Sequence, residues 1–186
     1  MMESIASSDE DIVREVQTGA TEAFGVLVER YEDKMKRYAR RFLFGYEEAE
    51  DIVQEVFIKA YINIHSFDAR RKFSSWLYRI AHNEFINAIK KKGKEPVPFF
   101  DPDSLFPHPI AKEETDSEIN RQEVVKQLEQ CLDKVDAKYR EVMVLYYFED
   151  LDYQQIADIL QIPIATVGVR LKRGREKIKK LLDQKI

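Results

Sequence analysis

Between Phe67 and Lys94 the chain interleaves large aromatic residues with cations and amides: Phe67, Arg70, Arg71, Lys72, Phe73, Trp76, Tyr78, Arg79, His82 and Asn83, then Lys90, Lys91 and Lys92. Aromatic faces stack on unpaired bases, and cations follow a phosphate backbone. This is binding chemistry rather than bond-making chemistry. The three histidines, His65, His82 and His108, lack paired ligand spacing, and no Gly-rich phosphate loop or nucleophile constellation occurs. No metal, cofactor or catalytic residue is therefore expected; a nuclease is the enzyme reading that competes.

Charge is distributed in blocks. Net charge is only -4, so no bulk positive field attracts nucleic acid. Residues 66–94 nevertheless carry eight cations against Asp68 and Glu84, and residues 164–182 carry seven against Glu176. Between them, residues 95–118 hold Lys112 alone against seven acids. Basic, acidic, basic along one chain suggests interaction surfaces. A single cysteine, Cys131, excludes an internal disulfide and a multi-Cys zinc site, and its apolar register predicts a core position. The N-terminus shows no apolar signal region and no apolar run approaches a membrane span, so a cytoplasmic setting without membrane insertion is expected.

The elements that must position these residues are helices. Phe24, Leu27, Val28, Tyr31, Met35, Tyr38 and Phe42 recur at three/four spacing, with Thr21 as the expected N-cap. A turn at 44–46 leads to a helix over about 47–64, and another spans about 73–92. No segment sustains strand alternation, so the fold is all-α. Five of the six prolines then fall within fourteen residues, Pro96 to Pro109, in an acidic stretch without periodicity. Such composition reads as a tether. The expected organisation is an N-terminal helical bundle at 1–94, a Pro-rich acidic linker at 95–118, and a C-terminal four-helix domain with a helix-turn-helix at 119–186.

In that second domain, Asp152 and Gln155 have capping-box spacing, and Gln161-Ile162-Pro163 makes a short turn into the next helix. Val167, Leu171, Gly174, Ile178, Leu181 and Leu182 share one side; Thr166, Val169, Arg170, Arg173 and Lys177 share the far side, with Lys172 among the same cations. A second helix with a basic outer face suits a DNA major groove. Gln161 occupies a turn position that favours glycine, at about 1 kcal/mol if left-handed.

The 47–64 helix has two unlike faces. Ala49, Ile52, Val53, Val56, Phe57, Ala60 and Ile64 form the packing side, opposite Asp51, Gln54, Glu55, Ile58 and Ile62. Acids, an amide and two isoleucines together read as a protein-docking patch with apolar anchors. On the following helix Arg79, Asn83, Ile86 and Lys90 form a stripe beside the buried face, and Trp76 reads as core before stacking platform.

The run Asp51-Ile-Val-Gln54-Glu55-Val-Phe57-Ile-Lys-Ala60, then Phe67, then Phe73-Ser-Ser-Trp76-Leu77-Tyr78-Arg79-Ile80-Ala81-His-Asn83, resembles the signature of the extracytoplasmic-function (ECF) class of bacterial sigma factors. So does the C-terminal run from Ile156-Ala157 through Ile162-Pro163, Thr166-Val167 and Arg170-Leu171-Lys172-Arg173 to Arg175. The likeness covers nearly the whole chain in order. It implies an initiation factor that binds core RNA polymerase and promoter DNA and has no chemistry of its own.

By that resemblance, Asp51, Gln54 and Glu55, with Ile58 and Ile62 beside them, dock on the clamp helices of the polymerase largest subunit. The loop Phe67, Asp68, Arg70, Arg71 and Lys72, with Arg79, Asn83 and Lys90, captures the melted non-template strand of the −10 element. The helix bearing Thr166, Val169, Arg170, Lys172, Arg173 and Lys177 reads the −35 element, with Gly168-Val169 where the family often has Lys-Ser. An anti-sigma factor is a further implied partner. The nearest alternative function is a stand-alone helix-turn-helix regulator.

Overall fold

The computed structural model describes residues 7–43, 46–92 and 118–183. The expected linker lies outside the described residues except for Glu118, which already belongs to a helix; the start of the expected turn, 44–45, also lies outside them. Among the described residues there are eight α-helices: α1 (Asp9–Gln17), α2 (Phe24–Phe42), α3 (Ala49–Asn63), α4 (Phe73–Lys92), α5 (Glu118–Cys131), α6 (Ala137–Tyr147), α7 (Tyr153–Leu160) and α8 (Ile164–Asp183). The fold is all-α, with no strand among those residues.

The expected apolar stripe of α2 is buried at Phe24, Leu27, Tyr31, Met35, Tyr38 and Phe42. Thr21 is not its N-cap. A 3-10 turn at Thr21–Ala23 runs directly into α2 without a side-chain cap. The turn uses its own carbonyls, Thr21 N–H donating to Gly19 O at 2.9 Å and Ala23 N–H to Ala20 O at 3.0 Å. The chain thus enters α2 already coiled, and no side chain is needed for those donors.

In α4, Phe73, Leu77, Ala81, Phe85 and Ile89 recur every four residues and are all fully buried. They face α2 and α3, where Tyr38 and Phe85 lie 5.0 Å apart between ring centroids. A Lys59–Glu84 ion pair at 2.6 Å ties α3 to α4 along the outside of that contact.

In the second half, α6 is buried nearly all round, from Ala137 and Tyr139 through Leu145 to Tyr147. A helix apolar on every side must lie between layers, and α6 packs on α8 on one flank and on α2 on the other. At Gly174 of α8 an added Cβ would collide with the Met143 thioether, so glycine sets how closely α8 approaches α6. Cys131 is buried, its thiol donating to Gln127 O at 2.8 Å, in keeping with a core role.

The helix-turn-helix is α7, a turn at 161–163, and α8. Asp152 Oδ1 accepts from Gln155 N–H at 2.7 Å, and Gln155 Oε1 accepts from Asp152 N–H at 2.9 Å, completing the capping box. Gln161 is left-handed at φ 54°, ψ 44°, and its side-chain amide donates to Asp158 O at 2.6 Å.

The two modules do not stand apart. Tyr38 of α2 donates to Glu141 of α6 at 2.6 Å, and Tyr78 of α4 donates to Glu149, just beyond α6, at 2.6 Å. Helix α4 also packs against α7. The buried residues form one continuous core across both modules. A sequence that reads as two tethered bundles therefore folds with polar-tipped aromatic residues joining them.

Candidate nucleic-acid interface

The outer face of α3 matches its expected character. Asp51, Gln54 and Glu55 are exposed, Ile58 is 50% exposed and Ile62 is 69% exposed. Tyr61, which the sequence pattern did not single out, joins them at 42%, its ring edge-on to Phe24 at 5.2 Å. Asp51, Gln54 and Glu55 make no hydrogen bond or ion pair among the described residues. Three apolar side chains beside free carboxylates form a surface prepared for another protein.

The aromatic-cationic loop is rigid in its turn and open at its tip. Asp68 Oδ1 accepts from the Arg70 backbone N–H at 3.1 Å and from Arg70 Nε at 2.9 Å, while Oδ2 accepts from Arg70 Nη2 at 2.8 Å. Arg71 N–H donates to Asp68 O at 2.9 Å, closing the turn. The Arg70 hydrogen bonds hold the Asp68 carboxyl down at about 2. Arg70 is thus committed to shaping the loop, leaving Arg71 and Lys72 exposed beyond it. Phe67 is buried, not presented: its ring sits 6.0 Å from Phe73 and 4.9 Å from Trp76. Trp76 is only half-buried. The accessible aromatic surface is therefore Trp76, supported from behind by Phe67, which reverses their expected parts.

Helix α1 braces this loop, and the sequence pattern did not announce it. Gln17 Nε2 donates to Ile64 O at 2.7 Å and to Phe67 O at 2.9 Å. Arg14 Nη2 donates to Ala69 O at 3.0 Å. Glu10 Oε1 accepts the backbone N–H of Phe73 at 2.8 Å, placing a carboxylate on the positive N-terminus of α4. The available signal was Ser8 followed by three acids: Ser8 Oγ accepts from Asp11 N–H at 3.1 Å, and Ile12, Val13 and Val16 pack inward.

Along α4, Arg79, Asn83 and Lys90 are exposed and Ile86 is half-buried, as their stripe predicts. Phe67, Arg71, Lys72, Trp76 and Arg79 then line one wall of a cleft of about 790 Å³, whose other wall is Gln155, Asp158 and Gln161 around α7. Sequence reasoning did not bring those α7 residues to this place.

The face of α8 departs from expectation. Lys172 is exposed, and Val169, Arg173 and Lys177 are half-buried. Thr166 and Arg170, expected outermost, are only 3% and 9% exposed. The helical wheel places them opposite the α6 contact correctly, but the docked first module covers that side. Arg170 lies near enough to His82 of α4 for their charges to interact. Lys177 is ion-paired with Asp136, immediately before α6, and lies over the Tyr139 ring at 4.9 Å.

An aromatic three-helix module with an acidic docking face and a basic loop, followed by a helix-turn-helix module, defines a sigma-70-type initiation factor. The sigma-70 region 2 family model matches residues 27–95, and the sigma-70 region 4 model matches residues 126–178. The chain is 39% identical over 178 residues to the ECF RNA polymerase sigma factor SigW of Bacillus subtilis, covering 91% of this chain and 94% of that protein. It is 33% identical over 178 residues to the ECF RNA polymerase sigma-E factor of Escherichia coli, covering 92% of each. Among solved structures, CnrH in complex with the cytosolic domain of CnrY superposes with a TM-score of 0.70 at 26% identity, over 96% of this chain and 99% of that one. The sigma factor RpoE of Bartonella quintana, in complex with the anti-sigma factor NepR, shares the fold at a TM-score of 0.63 and 24% identity, over 86% and 96% of the two chains.

The chain belongs to the ECF sigma factors of bacterial RNA polymerase. It is a transcription initiation factor and not an enzyme, which sets aside both the nuclease and the stand-alone regulator. No helix among the described residues is long and apolar enough to cross a membrane.

Proposed function

We propose that residues 1–94 act as the module that holds core polymerase and the −10 element, and residues 119–186 as the module that reads the −35 element, with 95–118 joining them. Core polymerase docks on Asp51, Gln54, Glu55, Ile58 and Ile62, with Tyr61 adding apolar area; the clamp helices of the largest subunit are the intended surface. The melted −10 strand enters beside Arg71, Lys72, Arg79 and Asn83, with Trp76 as its stacking face and Lys90 on the phosphates. Phe67, Asp68 and Arg70 shape that site from beneath. The −35 duplex is met by Thr166, Val169, Arg170, Lys172, Arg173 and Lys177.

The observation that carries this division is the α3 face: carboxylates without intramolecular partners beside three exposed apolar side chains, next to a cation-lined cleft. A surface that expensive to expose calls for a protein partner. CnrH is held with the cytosolic domain of CnrY, which supports a cytoplasmic protein that is itself masked by an anti-sigma partner.

Asp51→Arg combined with Glu55→Arg tests the docking face, because it inverts the charge without touching the packed side of α3. Native-gel association with core polymerase should weaken more than tenfold while circular dichroism stays unchanged; undiminished association would reassign the face. Arg173→Ala tests the reader. If this guanidinium contacts a base, promoter affinity falls by roughly 1–3 kcal/mol, confined to one −35 position. A loss equal on all sequences would make it a phosphate contact instead.

A further inference from the structure

The two modules are joined by buried charge, and that has a consequence for when the protein can read DNA. Glu141 is 2% exposed, and its Oε1 receives the Tyr38 hydroxyl at 2.6 Å and lies 2.6 Å from His82 Nδ1. Glu149, its side chain 3% exposed, receives the Tyr78 hydroxyl at 2.6 Å and faces the Arg41 guanidinium at 4.0 Å. Arg41 also lies over the Phe148 ring at 4.0 Å. A carboxylate buried without such partners is strongly unfavourable. Every partner named here comes from the other module, so both carboxylates are matched only while the modules are docked.

Docking covers the reader. A side chain as enclosed as Thr166 or Arg170 cannot reach a base edge. Nor can the docked molecule span a promoter: −10 and −35 elements lie about 25 base pairs apart, roughly 85 Å at 3.4 Å per pair, whereas α4 rests directly on α7. The 25 residues between Lys92 and Glu118 have a contour length of about 85 Å, enough to let the modules part.

We propose that the α2–α4 face of the first module is an intramolecular docking surface for α6 and α7, which keeps the free sigma factor closed and its −35 face hidden until polymerase separates the two. This inference rests on the assignment of α8 as the −35 reader. The latch residues Tyr38, Tyr78, His82, Glu141 and Glu149 belong to neither the polymerase face nor the DNA face, so they can be altered independently.

The test uses the full chain in two variants. Tyr38→Phe with Tyr78→Phe removes the two hydroxyl donors and keeps the rings. Glu141→Arg places a cation against His82 and Arg170. Small-angle scattering measures compaction, and a fluorescence titration measures binding to a 20-base-pair duplex carrying the −35 half of a promoter chosen by the reconstituted holoenzyme from a randomised library. The wild type should have a radius of gyration near the roughly 16 Å of a compact chain of this length. Glu141→Arg should expand by several ångströms and bind the duplex at least tenfold more tightly, with the double tyrosine variant in between. All three should give equal run-off transcription with saturating core polymerase. The latch is overturned if Glu141→Arg stays as compact as the wild type, or if the wild type already binds the duplex as tightly as the variants. Expansion without any gain in duplex affinity would instead overturn the assignment of α8, and the self-inhibition with it.

Discussion

Gln161 shows how far a single residue could be read and what it costs. It sits at the C-terminus of α7 with φ 54°, a conformation that crowds the Cβ of any L-residue except glycine. Its side-chain amide answers the Asp158 carbonyl at 2.6 Å, which offsets part of the strain. Gln161→Gly should therefore raise stability by about 1 kcal/mol, read as a higher denaturant midpoint with an unchanged slope. A lower midpoint would mean that the amide contact outweighs the strain. This position was legible because strain at a turn is local and follows from three residues of sequence. Thr166 and Arg170 were not, since their burial depends on a surface contributed by residues some ninety positions earlier. Thr21 failed for a smaller reason: the backbone of the preceding turn supplied the acceptors that a cap would have replaced.

Among the elements, α1 has the largest effect for its length. Three of its side chains, Glu10, Arg14 and Gln17, reach the backbone between Ile64 and Phe73 and fix the loop that carries Arg71 and Lys72. Gln17 satisfies two carbonyls that close the 3-10 turn at Ile64–Ser66. Gln17→Ala should cost about 1–2 kcal/mol of stability, as the two carbonyls lose a donor. Its sharper signature is functional: affinity for a single-stranded −10 oligonucleotide in holoenzyme should fall several-fold while polymerase affinity and −35 duplex binding hold. Equal loss across all three measurements would show a general folding defect. Helices α2, α3 and α4 could be read from sequence because each carries a long apolar period against a polar face. Helix α1 is barely two and a half turns, so its period is short, and its importance lies in long-range hydrogen bonds that no local pattern encodes. The exposed face of α3 was legible for the opposite reason: isoleucine opposite a packed side is conspicuous without any knowledge of the fold.

For the molecule as a whole, the junction between modules makes closure sensitive to protons. Burial pulls the His82 imidazole down, as do the charges of Arg170 and Lys90; the Glu141 carboxylate, by charge and hydrogen bond, outweighs them and leaves it raised above its ordinary 6.5. Burial likewise raises Glu149 above its ordinary 4.5, against the lowering effect of the Tyr78 hydrogen bond and of Arg37, Arg41 and Lys34. The groups around His82 are thus one carboxylate, two cations and the Tyr38 hydroxyl that shares Glu141 Oε1. In the opened molecule both titrating groups return toward their ordinary values. A group raised in the closed form binds a proton on closing, so its contribution is complete below the ordinary value and disappears as pH climbs through the raised one. Both groups act in the same direction, and near neutrality only His82 is titrating. Raising pH from 6 to 8.5 should therefore open the free protein, seen as a growing radius of gyration and rising affinity for the −35 duplex at constant ionic strength. His82→Gln should flatten that profile while leaving run-off transcription by the holoenzyme unchanged. A wild-type profile that is level, or that closes with rising pH, would remove His82 from the junction.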